Sequence, residues 1–204
     1  MFVSGWHTDP FSGQFTPMYL LPHSLGILLF LICMVLRYGN DYKGAWIFLL
    51  APSRAFDGFA RGVFALLWID LIVIPHLILF TLLVWPWEIS HAGLFTAFSI
   101  SASSLYLGLE LKLIEAVPFS QQADPTRSAF AMPLTIMGGV VMAIAVGLQY
   151  LLVLRSPAAT LVTTCGLGTA AYFVTRSSLD GLAISFRYNL ALASAEIGNL
   201  YKEI

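Results

Sequence analysis

Asp70 and His76 are the side chains best placed to do chemistry, because both lie inside one long apolar stretch. The stretch runs from Gly62 to Trp85 and is long enough to cross a bilayer as a single helix. An ionisable side chain at that depth costs at least about 2.5–3.5 kcal/mol, so we expect it to face protein or a water-filled cavity. This predicts an inside helix, with the other helices packed around it.

Two interpretations are open for each of these side chains. Asp70 could carry a proton or bind a cation, and His76 could be the axial ligand of a haem or a chlorophyll-type pigment. Alternatively, Asp70 hydrogen-bonds to Ser or Thr of the next helix and His76 to a backbone carbonyl. Six residues correspond to about 240° around a helix, so the two side chains do not share a face. Pro75 leaves the Leu71 carbonyl without its helical donor and is expected to bend the helix.

No other catalytic or metal-binding pattern is evident. His7, His23 and His91 have no ligand-like spacing, and His23 lies where a capping or snorkelling role is expected. Glu110 and Glu115 are interpreted as a solvated helix exit. The phosphate loop, HExxH, GxSxG and CxxCH motifs are all missing from the sequence. We therefore expect a chain that is not an enzyme, has no metal site and has no nucleic-acid partner.

The composition is that of a polytopic membrane protein. Of the 204 residues, 58% are hydrophobic and only 10% are charged, and the mean hydropathy is +0.82. Cys33 and Cys165 each lie in an apolar run and are expected to pack as small hydrophobic residues. A chain of this length holds several spans and short connections but no separate soluble domain.

The predicted fold is an all-α membrane helix bundle with about five transmembrane helices and additional interfacial helices. An interfacial lead-in (1–16) precedes the bundle (17–176), and an amphipathic helix (177–204) follows it. The predicted spans are 17–36, 62–85, 91–109, 128–154 and 158–175, with an interfacial loop over 37–61. With the N-terminus outside and the C-terminus inside, Arg155 is the only Lys or Arg left on the outer side, which favours this orientation.

Small residues at four-residue spacing predict where helices approach closely. Two such ridges lie on the third and fourth predicted spans: Gly93, Ala97 and Ser101, and then Gly139, Ala143 and Gly147. The third span is also rich in serine and weak in hydropathy. We expect it to be buried against its neighbours.

The cytoplasmic side offers candidate coupling or docking residues. They lie in the loop before the second span and in the C-terminal amphipathic helix: Arg54, Asp57, Arg61, Phe186 and Arg187. An amphipathic helix of this kind is expected on the membrane surface or against a partner.

Three patches resemble the membrane parts of bacterial permease-like proteins of the ABC exporter type. They are Tyr42 to Phe48 with Pro52, Arg61 with Gly62, and Lys112 to Phe119, and the likeness spans about residues 40 to 190. The resemblance implies that the loop from Arg54 to Arg61 touches an ATPase. Permeases of that group look about twice as long, so this chain corresponds to one portion. A shortened relative of this kind can be recruited as a structural subunit.

Three hypotheses follow for function. The first is a non-enzymatic subunit that packs in and stabilises a larger complex of the bacterial inner membrane, with respiratory and photosynthetic complexes as candidates. Its partners would be other integral subunits and bound lipids. The second is a permease subunit driven by a separate ATPase, and the third is a pigment-binding subunit that uses His76.

Overall fold

The computed structural model describes residues 8–36, 38–39, 52, 55–114, 117–119, 140 and 143–200, with the backbone alone for 189–200. Within these residues the regular structure is helical and no strand is present. The five longer helices are α1 (Leu21–Val35), α2 (Ala55–Leu83), α3 (Ile89–Glu110), α4 (Ala143–Val153) and α5 (Pro157–Leu200). A 3-10 turn at Pro17–Leu20 leads into α1, and another at Leu111–Leu113 extends α3.

Four helices in the described part of the chain are long and apolar enough to cross a membrane. They are Pro17–Val35, Ala55–Leu83, Ile89–Leu113 and Pro157–Tyr188. The chain is therefore a multi-pass helical membrane protein by the length and composition of its helices. Most of the predicted fourth span, 128–154, falls outside the described residues, and α4 is its described end. The count of five spans and the orientation remain predictions.

The central helix of the bundle is α3, and the prediction that the second span is the inside helix is wrong. We compare the buried share of the most apolar stretch in each helix. It is 50% for α3, 22% for α2 and 11% for α5. The burial expected for the serine-rich helix is confirmed. Ser99 and Ser103 are fully buried, and small side chains such as Ala92 and Ala102 let neighbours approach α3 from several directions.

Two hydrophobic cores lie at opposite ends of the bundle. The Tyr19 core is formed by Met18, Tyr19, Leu79, Leu83, Trp87, Ala92, Phe95 and Leu154. The Phe186 core includes Cys33, Phe56, Leu67, Leu107, Leu111, Val117, Leu182 and Phe186. Val117 belongs to the Phe186 core and Leu154 to the Tyr19 core.

Two predicted helix boundaries are wrong. The loop predicted over 37–61 contains the first two turns of α2, which begins at Ala55. The separate helix predicted over 177–204 is a continuation of the span predicted over 158–175. No Gly or Pro stands between Val174 and Ser178, so the polar residues there mark a change of surroundings along one helix rather than its end.

The described part of the lead-in packs on the Tyr19 end. Asp9 accepts a hydrogen bond from the Phe11 amide and contacts the His91 ring, and the Tyr19 hydroxyl donates to the Pro10 carbonyl at 2.6 Å. Residues 8–16 are thus held by side chains of α3 and of the turn before α1. The first seven residues lie outside the described part.

Candidate functional site

The second span contains a π turn at the place where the sequence predicts an interruption. The turn covers Ile69–Val73, and the Ile74 amide donates to the Ile69 carbonyl, five residues back. Pro75 follows and has no amide hydrogen to donate. Turns of this kind are rare and are frequent at functional sites. Asp70 lies inside the turn.

Asp70 is exposed on the surface of the described chain, so the prediction that it faces protein or a cavity is wrong for this chain alone. Neither an ion pair nor a hydrogen bond to its carboxylate is found among the described residues, so the expected bond to a Ser or Thr of α3 is absent there. Its surroundings on the helix are apolar side chains exposed by 45–60%. We call this surface the Asp70 face: Leu66, Ile69, Asp70, Ile74, Leu77 and Ile78.

His76 is fully buried, and the interpretation that it bonds to a backbone carbonyl is confirmed. Its Nδ1 lies 2.7 Å from the Ile72 carbonyl oxygen, which can only accept, so Nδ1 carries the hydrogen. Nε2 is then the unprotonated nitrogen in the neutral ring. It has no partner within the described residues.

The surroundings of His76 fit a pigment ligand only in part. A ring whose Nδ1–H is fixed by a carbonyl presents Nε2 to a metal in the usual way. However, the crevice beside it measures about 190 Å³, below the roughly 300 Å³ at which small-molecule sites begin. Its walls are apolar side chains of α1 and α2: Leu21, Leu25, Pro75, Ile78, Leu79 and Leu82. A macrocycle does not fit this crevice as it stands.

Sequence reasoning missed a buried polar network that joins three helices. His23 of α1 pairs through Nδ1 with the Tyr106 hydroxyl of α3 at 2.7 Å. Its Nε2 pairs with Oε1 of Gln149 in α4 at 2.6 Å. His23 is 5% exposed, so the capping or snorkelling role expected for it is wrong. The available signal was that each of the three is a strong hydrogen-bonding group inside an apolar run.

Glu110 does not lie in the fully solvated helix end that the sequence predicts for it. It lies one helical turn after Tyr106 and is half-buried, and its Oε2 has no hydrogen-bond partner in the described part of the chain. Glu115 lies outside the described residues.

A cleft of about 720 Å³ lies between α2, α3 and α5. Its walls include Phe64, Trp68, Ile100, Ala171 and Tyr172, with Ser101 and Ser104 on the α3 side. The Trp68 indole donates to the Ser104 hydroxyl at 3.0 Å. Three charged residues also line the cleft: Arg61, Arg176 and Asp180.

The closest helix contacts occur at glycines other than those predicted. A methyl group on Gly108 would lie 2.7 Å from Thr175 Oγ1 and 3.2 Å from the Thr175 backbone nitrogen. A methyl group on Gly26 would lie 2.8 Å from the Tyr106 ring. These positions, where α3 meets α5 and α1, admit no larger residue without a shift.

The predicted small-residue ridges do not form such contacts. Ala97 and Ala143 are exposed, and a methyl group on Gly147 would have no described atom within 4 Å. The prediction is wrong for these three residues within the described part of the chain. Gly93 does face α2, since a methyl group there would lie 3.8 Å from the Phe80 ring. Ser101 does face α5, since it lies 3.6 Å from a methyl group built on Gly168, and Gly139 lies outside the described residues.

The residues predicted to dock a partner differ in their exposure and contacts. Asp57 and Arg187 form an ion pair at 2.7 Å between α2 and α5, with both side chains well exposed. Phe186 is fully buried against Phe59, so the prediction that it docks a partner is wrong. Arg61 lies in the cleft instead, and Arg54 is outside the described residues.

The described residues contain no cluster of His, Cys, Asp or Glu that could hold a metal. No protein-family model, no curated protein and no solved structure matches this chain. The support for a function therefore comes from the helices and their side chains.

Proposed function

We propose that this chain is a non-enzymatic integral subunit of a larger complex in the bacterial inner membrane, and that another transmembrane helix covers the Asp70 face. The single observation that carries the proposal is the exposed carboxylate of Asp70 at the middle of α2. At 1.5 Å per residue it lies about 22 Å from Ala55 and about 20 Å from Leu83.

A carboxylate at this depth is unfavourable against lipid. Insertion scales give about 2.5–3.5 kcal/mol for Asp at the centre of a spanning helix. Acidic residues inside membranes nearly always face the interior of a bundle and pair with other groups. Since Asp70 faces away from the described part of its own bundle, a second chain is the natural source of its partner.

The chemistry of Asp70 limits what that second chain can be. The covering helix would present a cation or a strong hydrogen-bond donor at mid-depth, such as Lys, Arg, His, Asn or Gln. Around that group it would be apolar, to match Leu66, Ile74 and Ile78.

The first experiment places a photo-crosslinking residue on the Asp70 face at Ile74 and, as the control, on the exposed apolar surface of α5 at Val162. Both positions are apolar and exposed, by 45% and 72%, but Val162 has no charged neighbour of the Asp70 kind. We expect Ile74 to give a discrete protein adduct in native membranes and Val162 to give mainly lipid adducts. Equal adducts from both positions, or lipid alone from both, would contradict the proposal.

The second experiment changes Asp70 itself. Asp70→Leu removes both the charge and the hydrogen bonding, whereas Asp70→Asn keeps the hydrogen bonding, and Glu88→Gln is an exposed control outside the spans. After gentle detergent extraction we expect the partner to be lost from Asp70→Leu, partly retained by Asp70→Asn and fully retained by Glu88→Gln.

The identity of the recovered partner separates the hypotheses. A multi-subunit redox or pigmented complex supports the structural-subunit proposal. Recovery of an ATPase in a colourless fraction would replace it with the exporter permease alternative. An absorption band that His76→Ala abolishes would favour a pigment-binding subunit.

A further inference from the structure

We infer that the cleft between α2, α3 and α5 binds one anionic phospholipid, with the phosphate between Arg61 and Arg176 and an acyl chain along Trp68 and Tyr172. The inference rests on the depth of the two arginines, on the charge of the cleft and on the character of its walls.

Both arginines lie at the level of lipid headgroups. From Arg61 to the end of α2 at Leu83 is about 33 Å, and from Pro157 at the start of α5 to Arg176 is about 29 Å. The hydrocarbon core of a bilayer is about 30 Å thick. If the Tyr19 end of the bundle lies at one surface of the membrane, both guanidinium groups lie at the other.

The charge of the cleft matches an anionic headgroup. Arg61, Arg176 and Asp180 together carry a net charge of +1, and no ion pair with any of the three is found in the described part of the chain. Two guanidinium groups bind a phosphate well, because each presents several donors to its oxygens. A glycerol headgroup adds hydroxyl groups that can donate to the Asp180 carboxylate, and the lipid's single negative charge balances the site.

The walls below the arginines suit an acyl chain. Phe64, Ile100 and Ala171 provide apolar surface on three helices, and the Trp68 ring is held in place by its hydrogen bond to Ser104. The volume of about 720 Å³ lies within the range of ligand sites, about 300–1,000 Å³. Tyr172 at the rim is 61% exposed, so the rest of the lipid would remain in the bilayer.

The test measures retained lipid by native mass spectrometry of the full chain, after exchange into micelles with phosphatidylglycerol or phosphatidylcholine. Arg61→Gln and Arg176→Gln are each expected to reduce phosphatidylglycerol affinity about fivefold, which corresponds to the roughly 1 kcal/mol that one basic residue near a membrane surface contributes. The double variant should lose specific binding. Lys112→Gln is the matched control, because it removes one exposed positive charge just after α3 but does not line the cleft.

A second variant tests the acyl-chain part of the site without changing charge. Gly168→Leu extends a side chain into the cleft, where the one described atom within 4 Å of a methyl group would be Ser101 Oγ, at 3.6 Å. We expect it to reduce phosphatidylglycerol retention while the helical circular dichroism is unchanged. Competition by inorganic phosphate, equal binding of phosphatidylcholine, or the same loss in Lys112→Gln as in the arginine variants would each overturn the inference.

Discussion

The contact between α3 and α5 at Gly108 gives the sharpest stability prediction. In Gly108→Ala the new methyl group would lie 2.7 Å from Thr175 Oγ1 and 3.2 Å from the Thr175 backbone nitrogen. The hydroxyl stands on a β-branched side chain with few helical rotamers, and the backbone nitrogen moves only if the two helices separate. Overpacking of this kind costs about 1–3 kcal/mol, and the gain in helix propensity is at most about 1 kcal/mol. We expect a net loss of about 1–2 kcal/mol.

Gly166→Ala is the matched control for this substitution. Gly166 lies in α5 and is exposed, and a methyl group there has no neighbour within 4 Å among the described residues. The same chemical change should therefore leave stability unchanged or raise it by up to about 1 kcal/mol.

The assay is equilibrium unfolding in mixed micelles with a rising fraction of sodium dodecyl sulfate, followed by tryptophan fluorescence. Thr175→Ala combined with Gly108→Ala should recover part of the loss, because the Oγ1 contact is removed while the backbone contact remains. If Gly108→Ala and Gly166→Ala unfold at the same detergent fraction, α3 and α5 are farther apart at Gly108 than the distances of 2.7 and 3.2 Å to Thr175 imply.

Two further predictions concern pairs that link helices. His23→Leu leaves Tyr106 and Gln149 without their partners, and with hydrogen bonds inside membranes averaging about 0.6 kcal/mol each, we expect about 1–3 kcal/mol of destabilisation in the same assay. A stability equal to that of the parent chain would show that the network contributes nothing. Arg187→Gln breaks the exposed pair with Asp57 and should cost no more than about 1 kcal/mol, with the difference shrinking at high salt. A larger, salt-independent loss would contradict this description of the pair.

Helix positions along the chain were largely predictable, whereas helix ends were not. The cores of α1, α2, α3 and α5 all lie where long apolar runs predict spans. The predicted break at Gly58 and the predicted helix end near Arg176 both lie inside continuous helices. A single Gly costs only about 1 kcal/mol in a helix interior, and a charged residue shows where the surroundings become polar without ending the helix.

The candidate site was predictable only one side chain at a time. The bond from His76 to a carbonyl four residues earlier depends on local geometry, and sequence reasoning anticipated a bond of that type. The partnership of His23 with Tyr106 and Gln149 joins residues 83 and 126 positions apart, and no local pattern encodes it.

Composition and hydropathy are enough to identify a multi-pass helical membrane protein, because apolar runs of about 20 residues have the length of membrane-spanning helices. The interruption of α2 is likewise predictable, since Pro75 has no amide hydrogen wherever the helix lies. Which helix is central, and which face each polar residue occupies, depends on how the helices pack in three dimensions. Each of these helices carries apolar residues around its whole circumference, so hydropathy does not distinguish its lipid-facing surface from its protein-facing one. Close packing of the helices, at Gly108 against Thr175 and at Gly26 against Tyr106, sets which surfaces face protein. This packing leaves Asp70 on the outside.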